Sequence, residues 1–583
     1  MSHIVNDPDH FVDEMIDGFA VASQKWVRRV PGGVVRAAPA APGSVAVVIG
    51  GGSGHYPAFA GLVGSGIAHG AALGNVFASP AASQICSVAR SCEAGGGVFF
   101  SYGNYAGDVL NFDEAQDRLR ADGIDCATVT VTDDISSAPA GQEARRRGIA
   151  GDLVDFKAAG AAADAGADLG TVTRIARRAN ERVRSIGVAF GGCTLPGATE
   201  PLFTVPSGRM GVGLGVHGEP GLYEEDIATA DGLAELMTAA VLAEVPPDPS
   251  GRVCVLVNGL GSVKYEELFV LYRAVHARLR TAGLEPVDPE VGELVTSFEM
   301  AGVSLTICWL DDELEQLWSA PADCPGYRKA GTQTTAPSYA ASPVPVTATR
   351  ATGLDDTRQE TAEAAPASAA SAAAGDIACQ ALARAAAALQ EHAEELGRLD
   401  SVAGDGDHGI GMTRGAKAAS SAARQSLENG AGLRTVVWHA GRAWADEAGG
   451  TSGALWGAAL TAMADQFSDV SAPSAETVAA SVSAAATAIA DRGHAVPGDK
   501  TMLDALIPLR DCLTSDIAAG RDLRTALEHA AEVTDEAARA TADLLPRIGR
   551  ARPHAERSRG TPDPGAVSLA LVARAILPSA TPG

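Results

Sequence analysis

The chain lacks the sequence features of an exported or membrane-spanning protein. Its N-terminal stretch, MSHIVNDPDHFVDEMIDGFA, carries acidic residues and a proline where a signal peptide has basic and then apolar residues. No window approaches the run of about eighteen apolar residues that a membrane-spanning helix needs. The nine cysteines are scattered and include no CxxC pair, which argues against a zinc or redox motif. We therefore expect a cytoplasmic protein with reduced, mostly buried thiols and no membrane partner.

Aromatic residues are scarce and basic residues are outnumbered. Phe, Trp and Tyr make up 5% of the chain, and 45 Lys and Arg residues stand against 71 Asp and Glu residues, for a net charge of −26. This charge disfavours a nucleic-acid partner but still allows local positive sites for phosphate. With 46% hydrophobic residues in 583 positions, the chain is long enough for several buried cores. The composition indicates a globular protein that acts on small molecules.

Short β-branched runs alternate with helical segments between about residues 44 and 320. The runs are SVAVVIG, GGVFFSY, ATVTVTDD, SIGVAFGGC, VCVLVNGLG and SLTICWLDD. Strands separated by helices predict α/β layers with largely parallel pairing. We expect residues 1–325 to form an α/β domain of two lobes, at about 1–185 and 186–325.

The composition changes twice after the α/β region. Residues 326–375 are crowded with Ala, Thr, Ser and Pro and show no apolar periodicity, which is typical of a flexible linker. From Asp376 onward, segments such as DIACQALARAAAALQEHAEELGRL carry apolar residues at helical spacing, and no convincing strand follows. We predict that residues 376–583 form an all-helical bundle or barrel of about eight helices joined by glycine-bearing loops.

An acidic cluster follows the first helix of this region. The stretch DSVAGDGDHG places Asp400, Asp405 and Asp407 within eight positions. At about 5 Å and an effective dielectric near 20, each pair would repel by roughly 3 kcal/mol, so a compact turn calls for a cation. Carboxylate oxygens suit magnesium. An EF-hand is excluded, because Ile410 and Ala416 stand where its glycine and glutamate belong. The alternative is a solvated acidic turn.

Three later segments carry groups that suit a nucleotide. GGTSGALWG, residues 449–457, offers small residues and backbone N–H groups at a helix start, a geometry that accepts phosphate oxygens. GDKTMLDAL adds a lysine and a threonine beside an acid, and ERSRGTPDPGAVS adds arginines around Asp563. None matches the Walker pattern. Taken singly, GGTSG could be a tight helical turn and DKT a helix cap. Taken together with the acidic cluster, the three segments predict a magnesium–nucleotide site built on helix ends.

The α/β region places polar residues at three strand ends. VVIGGGSGHYPAFAG has His55 where a dinucleotide fingerprint needs its third glycine, which disfavours Rossmann binding. FFSYGNYAGDVLNF delivers Asp108, and GVGLGVHGEPG delivers His217. Two imidazoles and a carboxylate suit acid–base and nucleophilic chemistry. The alternatives are a structural donor for His55, a helix cap for Asp108 and an exposed loop residue for His217.

These segments resemble the dihydroxyacetone kinase family in its single-chain ATP-dependent form, which fuses a ketose-binding K domain to a nucleotide-binding L domain. The resemblance implies an ATP-dependent kinase of a small ketose, dihydroxyacetone and/or erythrulose, that uses ATP and two Mg²⁺ ions and forms a homodimer. The matching segments, in the family's order, are GGGSGH, NVFASP, NYAGDVLNF, GVHGEPG, TSFEMAGVSLTICWLDDEL, LDSVAGDGDHG, GGTSGALWG, GDKTMLDALIP and PDPGA.

The resemblance also implies roles for individual residues. His217 would form a covalent hemiaminal with the ketose carbonyl carbon, Asp108 would take the proton of the hydroxyl being phosphorylated, and His55 would hydrogen-bond the ketose. The remaining substrate-binding residues would be Gly51, Gly52, Ser53 and Gly103. The magnesium ligands would be Asp400, Asp405 and Asp407. The nucleotide-binding residues would be His408, Thr413, Gly450, Thr451, Ser452, Gly453, Met502, Arg550, Asp563 and Gly565.

The chain departs from the family pattern at three positions. Tyr56 replaces an acid, Asn75 replaces an aspartate, and Gly103 replaces a lysine beside the substrate loop. Because Gly103 leaves extra room, we hypothesise that the pocket admits a four-carbon ketose such as erythrulose.

Two alternative functions remain open. The helical domain of some relatives cleaves FAD to a cyclic flavin phosphate (FAD-AMP lyase activity), and other relatives are non-catalytic ketose sensors or phosphoryl-relay proteins. The fused linker argues against a relay protein. The presence of His217, Asp108 and all three metal aspartates argues against a sensor.

Overall fold

The computed structural model describes residues 4–219, 221–331, 339, 367–402, 404, 406–549 and 555–577. The chain divides into two compact units, residues 1–344 and 345–583. The predicted site residues Asp405 and Arg550 lie outside the described residues, as do 332–338 and 340–366 of the predicted linker. In the part that the structure describes, no helix is long and apolar enough to cross a membrane.

A six-stranded sheet forms the first lobe of the α/β unit. Its order is β1-β2-β4-β3-β5-β6; β4, β3, β5 and β6 run parallel, and β1 and β2 are antiparallel additions. Helices cover both faces, because alternate residues of β3 belong to two different hydrophobic cores. The bounds are α1 (Phe11–Ala22), β1 (Val27–Val30), β2 (Gly33–Arg36), β3 (Ala46–Ser53), β4 (Gly70–Val76), α2 (Ala82–Cys92), β5 (Val98–Gly103), α3 (Ala106–Ala121), β6 (Cys126–Val131), α4 (Asp152–Asp164) and α5 (Leu169–Arg182).

A second, mainly antiparallel sheet forms the other lobe. Its order is β11-β10-β13-β7-β8-β9, and β12 also pairs with β10. Only β11 and β12 run parallel to β10, so the expectation of largely parallel pairing is wrong here. The bounds are β7 (Val183–Ala189), β8 (Arg209–Val212), β9 (Tyr223–Asp226), α6 (Ala230–Leu242), β10 (Arg252–Gly259), α7 (Tyr265–Thr281), β11 (Glu285–Pro286), β12 (Glu290–Gly292), β13 (Gly302–Trp309) and α8 (Asp312–Trp318).

The region predicted as a linker begins and ends in regular structure. A two-stranded hairpin, β14 (Ala322–Asp323) with β15 (Arg328–Lys329), closes the α/β unit. The first helix of the second unit already starts at Ala369. The linker itself stays a prediction, because most of it lies outside the described residues.

The second unit consists of nine α-helices, with no strand among its described residues. Eight of these helices form a ring in which each helix packs against the next and the last packs back on the first. The order around the ring is α9, α11, α12, α13, α14, α15, α16 and α17, and α10 packs on α11. The count exceeds the predicted eight because the first predicted helix breaks at His392. The bounds are α9 (Ala369–Glu391), α10 (Ala393–Asp400), α11 (His408–Glu428), α12 (Leu433–Ala448), α13 (Gly450–Ala464), α14 (Ala475–Gly493), α15 (Leu503–Ala518), α16 (Leu523–Ala540) and α17 (Pro564–Ala575).

Small residues let these helices approach closely. A Cβ atom on Gly415 would lie 2.5 Å from Nε1 of Trp444, and one on Gly457 would lie 2.6 Å from Cβ of Ala445. Trp444 in turn stacks on Trp456, with ring centroids 4.8 Å apart. The abundance of Ala and Gly in the sequence thus has a packing reason: the core of this unit combines two indoles and larger aliphatic side chains with many alanines at the close contacts.

Candidate active site

Two buried histidines meet between the sheets of the α/β unit. His55 follows β3 of the first sheet, and His217 lies on the loop between β8 and β9 of the second. Their Nε2 atoms are 3.1 Å apart. His217 is 5% exposed and His55 is 3% exposed, so His217 is not the exposed loop residue of the alternative interpretation.

The outer nitrogens of both rings face acceptors, which fixes the protons. Nδ1 of His55 lies 2.7 Å from the carbonyl oxygen of Thr296, and Nδ1 of His217 lies 3.0 Å from a carboxylate oxygen of Glu219. Because neither oxygen can donate, each Nδ1 carries a hydrogen. Burial and the neighbouring His217 lower the pKa of His55 to about 3. At 3.1 Å the two Nε2 atoms have room for one shared hydrogen between them.

Aromatic rings hold the two imidazoles in place. Phe77 stacks on His55 with centroids 4.9 Å apart and planes 20° apart. Tyr105 meets His217 edge-on at 4.7 Å, and the Tyr105 hydroxyl donates to the carbonyl oxygen of Gly148 at 2.9 Å. The rings are therefore oriented by packing as well as by their hydrogen bonds.

A buried charge network lies behind His217. Glu219, 2% exposed, accepts from the backbone N–H of His217 at 3.0 Å in addition to its contact with the ring. Arg147 lies 3.8 Å from the Glu219 carboxylate, and it donates to Asp134 through Nε at 3.1 Å and Nη2 at 2.9 Å. Arg147 is thus shared between two carboxylates, and Glu219 is a positioning residue for the His217 ring.

Six of the predicted residues line one cavity around the histidines, namely Gly51, Gly52, His55, Gly103, Asp108 and His217. Asp108 is 8% exposed and sits in the first turn of α3, whose N-cap is Tyr105, so Asp108 is not the cap residue. Ser53 is not one of the described lining residues; its hydroxyl donates to the carbonyl oxygen of Gly74 at 2.7 Å. The other lining residues, which no sequence motif singled out as site residues, are Gly50, Phe59, Tyr105, Gly148, Ile149, Asp152, Val216 and Val295.

Two of the strand-end glycines are required by packing. A Cβ atom on Gly51 would lie 2.5 Å from Cε2 of Phe59, and one on Gly52 would lie 2.7 Å from the backbone nitrogen of Ala78. A side chain at either position would displace neighbouring atoms. The glycine run therefore brings the bare backbone to the cavity wall, where a small polar ligand can reach it.

In the helical unit, several helix N-termini meet at one end. His408, the first residue of α11, contacts the hydroxyl of Ser568 on α17 at 2.9 Å and that of Ser452 on α13 at 3.3 Å. A Cβ atom on Gly565 would lie 3.4 Å from Cβ of Met502, the N-cap residue of α15. Unpaired N–H groups and the positive ends of helix dipoles make such a place favourable for phosphate. Gly450, Thr451 and Gly453 belong to the same first turn of α13.

Thr413 lies farther along α11, and its hydroxyl is engaged within the helix. It donates to the carbonyl oxygen of Gly409 at 2.8 Å and also contacts that of Leu389 at 3.3 Å. The Thr413 hydroxyl could contact the nucleotide directly only if both of these hydrogen bonds were broken.

The carboxyl groups at this end of the helical unit shift one another's pKa values. Asp400 ends α10 and accepts from the backbone N–H of Gly406 at 2.8 Å. Burial and the charge of Asp400 raise the pKa of Asp407 to about 7. Asp563 caps α17 by accepting from the N–H of Ala566 at 2.7 Å, and burial, with Asp400 also contributing, raises its pKa to about 7. Carboxyl groups that resist ionising together fit a site for a hard cation such as Mg²⁺.

Comparison with known proteins agrees with both units. Residues 17–326 match the Dak1 domain and residues 402–578 match the DAK2 domain. An L-erythrulose kinase of Pectobacterium atrosepticum is 54% identical, over 99% of this chain and 96% of its own. A D-erythrulose kinase of Mycolicibacterium smegmatis is 52% identical, over 99% and 98%. The dihydroxyacetone kinase of C. freundii, also solved with AMP-PNP and Mg²⁺, is 29% identical, with a TM-score of 0.52 and 99% of both chains covered.

The fold and the paired domains define an ATP-dependent ketose kinase that combines an α/β Dak1 unit with an all-helical DAK2 unit. The chain belongs to the dihydroxyacetone kinase family. The predictions of the family, of the fold class, of an ATP-dependent ketose kinase and of ATP and Mg²⁺ as its cofactors are confirmed.

Proposed function

We propose that the protein phosphorylates a terminal hydroxyl of a short ketose, erythrulose and/or dihydroxyacetone, while the ketose is held as a hemiaminal on His217. The observation that carries this proposal is the pair of facing Nε2 atoms, 3.1 Å apart, with Nδ1 of His217 bound to a carboxylate. That arrangement directs Nε2 of His217, the proposed nucleophile, into the cavity that Asp108 also lines.

The adduct forms without a change in net charge. Nε2 of His217 attacks the carbonyl carbon, the C=O π electrons move to oxygen, and that oxygen gains the proton that the two Nε2 atoms share, while Nδ1 keeps its hydrogen against Glu219. Glu219 stabilises the imidazolium that develops during attack, because its carboxylate lies at Nδ1. Nε2 of His55 is then placed to accept a hydrogen bond from the new hydroxyl. The step is reversible, and it fixes a small ligand in one orientation.

Asp108 is the group proposed to take the proton from the hydroxyl being phosphorylated. It lines the same cavity as His217, and proton removal by a placed carboxylate contributes about 10²- to 10⁴-fold to a rate. In the helical unit, Asp400, Asp405 and Asp407 would hold two Mg²⁺ ions, and the N-termini of α11, α13 and α17 would hold the phosphates of ATP. Bound Mg²⁺ supplies neutralisation of the phosphate charge.

The absence of a side chain at Gly103 favours the larger substrate. A Cβ atom there would already lie 3.0 Å from Cε2 of Tyr105 and 3.3 Å from the carbonyl oxygen of Gly148, so any side chain would narrow the cavity. The names of the two relatives above 50% identity, an L- and a D-erythrulose kinase, also support a four-carbon ketose.

The test is a coupled ADP assay with dihydroxyacetone, D-erythrulose, L-erythrulose, glyceraldehyde and glycerol. We expect one erythrulose enantiomer to have the highest kcat/KM and glycerol, which has no carbonyl, to be a poor substrate. The matched variant Gly103→Ala should lower kcat/KM for erythrulose more than for dihydroxyacetone. A kcat/KM for glycerol equal to that for the ketoses would refute the tethered mechanism, and one for dihydroxyacetone far above both erythruloses would refute the four-carbon preference.

We further infer that residues 1–325 bind the ketose and residues 376–583 bind the nucleotide, and that the protein acts as a cytoplasmic homodimer. The Dak1 and DAK2 matches, over 17–326 and 402–578, support this division. Size-exclusion chromatography with light scattering tests the dimer, which a monomeric mass would refute.

A second candidate activity of the helical unit is cleavage of FAD to a cyclic flavin phosphate. It is favoured by the human triokinase/FMN cyclase, 33% identical over 92% of this chain and 91% of its own. Incubation with FAD and Mn²⁺, with flavin products separated by chromatography, tests it. Unchanged FAD would leave the ketose kinase as the sole activity of the two.

A further inference from the structure

Asp152 is a buried acid in the ketose cavity to which the proposed mechanism gives no role. It is the first residue of α4, it is 3% exposed, and it lines the cavity together with Asp108 and His217. Its Oδ1 atom has no hydrogen-bond partner among the residues that the structure describes. Leaving a buried polar atom unpaired costs about 1–3 kcal/mol, so a site that keeps one is poised for a polar ligand.

The turn that carries Asp152 is fixed by a second buried acid. Asp133 accepts from the backbone N–H of Ile149 at 2.8 Å and from that of Gly151 at 2.7 Å. These two bonds tie residues 149–151 to the end of β6, directly before Asp152. The position of the Asp152 carboxyl is therefore set by the backbone and does not depend on a flexible loop.

The Asp152 carboxyl lies beside Gly103 and Gly148, and all three residues line the same cavity. A Cβ atom on Gly148 would lie 2.8 Å from Oδ1 of Asp152 and 2.5 Å from Cα of Gly103. The bare backbone at 148 therefore lets Oδ1 of Asp152 approach Gly103 closely at one wall of the cavity. The proposed mechanism assigns the ketose carbonyl to the histidines and the reacting hydroxyl to Asp108, and it leaves this wall without an occupant.

The electrostatic surroundings make Asp152 a hydrogen-bond donor. Burial, followed by the charges of Asp133, Asp155 and Asp108, raises the pKa of Asp152 well above its usual range. A protonated carboxyl donates one hydrogen bond and accepts others, which matches a hydroxyl group.

We propose that Asp152 binds the additional hydroxyl that a four-carbon ketose carries relative to dihydroxyacetone. Asp152 is then a specificity-determining residue, and the absence of side chains at Gly103 and Gly148 keeps the cavity wall beside its carboxyl uncovered. This inference rests on the proposed ketose kinase activity and adds to it the group that selects chain length.

The test compares Asp152→Ala and Asp152→Asn with the unmodified protein. The measured quantity is the ratio of kcat/KM for the better erythrulose enantiomer to kcat/KM for dihydroxyacetone. Asp152→Ala should lower this ratio about 10- to 100-fold, as expected when one buried hydrogen bond is lost. Asp152→Asn, which keeps a neutral donor of the same shape, should keep the ratio within about threefold. Activity with dihydroxyacetone reports that each variant is folded.

The outcomes separate this inference from the proposed function. An unchanged ratio in Asp152→Ala, or a loss in Asp152→Asn as large as that in Asp152→Ala, overturns the role of Asp152 while the kinase activity stands. If the unmodified protein phosphorylates neither ketose, the proposed function fails instead.

A measurement on the unmodified protein covers the case in which Asp152→Ala does not fold. Adduct formation is followed by intact mass spectrometry while erythrulose competes with 1,3-dihydroxybutan-2-one. This competitor has the same four carbons but lacks the C4 hydroxyl of erythrulose. At least tenfold preference for erythrulose is expected, and equal occupancy contradicts the proposal.

Discussion

The substitution Glu219→Gln isolates what the carboxylate behind His217 contributes. Glutamine has nearly the same shape, and its carbonyl oxygen can still accept from the His217 backbone N–H, as Glu219 does at 3.0 Å. Its amide NH₂ then faces Nδ1 of the ring. Because that NH₂ donates, Nδ1 must become the acceptor and the hydrogen moves to Nε2, so the nucleophilic lone pair is lost from the cavity side.

The size of the effect follows from the bond that is removed. A hydrogen bond to a charged group contributes about 1.5–3 kcal/mol, and each 1.4 kcal/mol or so corresponds to about tenfold in an equilibrium or rate constant. We therefore expect kcat/KM for the ketose to fall roughly 10- to 150-fold, with a parallel loss of the adduct. The KM for ATP should change little, because Glu219 belongs to the α/β unit.

The assay combines ketose-dependent ADP release with intact mass spectrometry of the adduct. Glu224→Gln is the matched control, since it makes the same charge change at an exposed position on β9 and should leave both readouts unchanged. Adduct occupancy and kcat/KM within twofold of the unmodified values in Glu219→Gln would refute the tautomer argument.

Three further outcomes are expected. His217→Ala should abolish the adduct mass but leave Mg²⁺-dependent ATP binding intact; a persisting adduct would place the covalent bond elsewhere. Asp108→Asn should preserve the adduct and reduce kcat by about 10²- to 10⁴-fold, and a near-normal kcat would assign proton removal to another group. Gly415→Ala brings a Cβ to 2.5 Å from Trp444 and should destabilise the helical unit by about 1–3 kcal/mol. In the control variant Gly411→Ala, the nearest contact of the Cβ would be 3.6 Å, so its thermal midpoint should rise slightly. Equal thermal midpoints for the two variants would contradict the packing argument.

The sequence predicted the strands whose residues are buried on both faces. β3 and β13 appear as continuous β-branched runs, and both are fully buried. β9, with the sequence YEED, is mostly exposed and carries no apolar signal, so it was missed. β7, β13 and β10 were predicted as strands, but their antiparallel pairing could not be predicted, because strand direction depends on partners distant in sequence.

The site residues divide in a similar way. His55, Asp108 and His217 stand in recognisable motifs, and Glu219, two positions after His217, could have been singled out as a partner for its ring. Asp152 could not, since its sequence context is an ordinary helix start. Its significance depends on an unpaired buried oxygen and on two glycines from other segments, which only the folded arrangement brings together.

Backbone hydrogen bonds join the segment that carries His55, just after β3, to the second lobe. The N–H of Phe298 donates to the carbonyl oxygen of Gly54 at 2.9 Å, and that of Thr296 donates to the carbonyl oxygen of His55 at 3.2 Å. One imidazole therefore takes its alignment from residues encoded some 240 positions away. The proposed covalent capture consequently requires both sheets: a fragment ending before the second sheet would keep its glycine run and yet lack both the proposed nucleophile, His217, and the contacts that align His55.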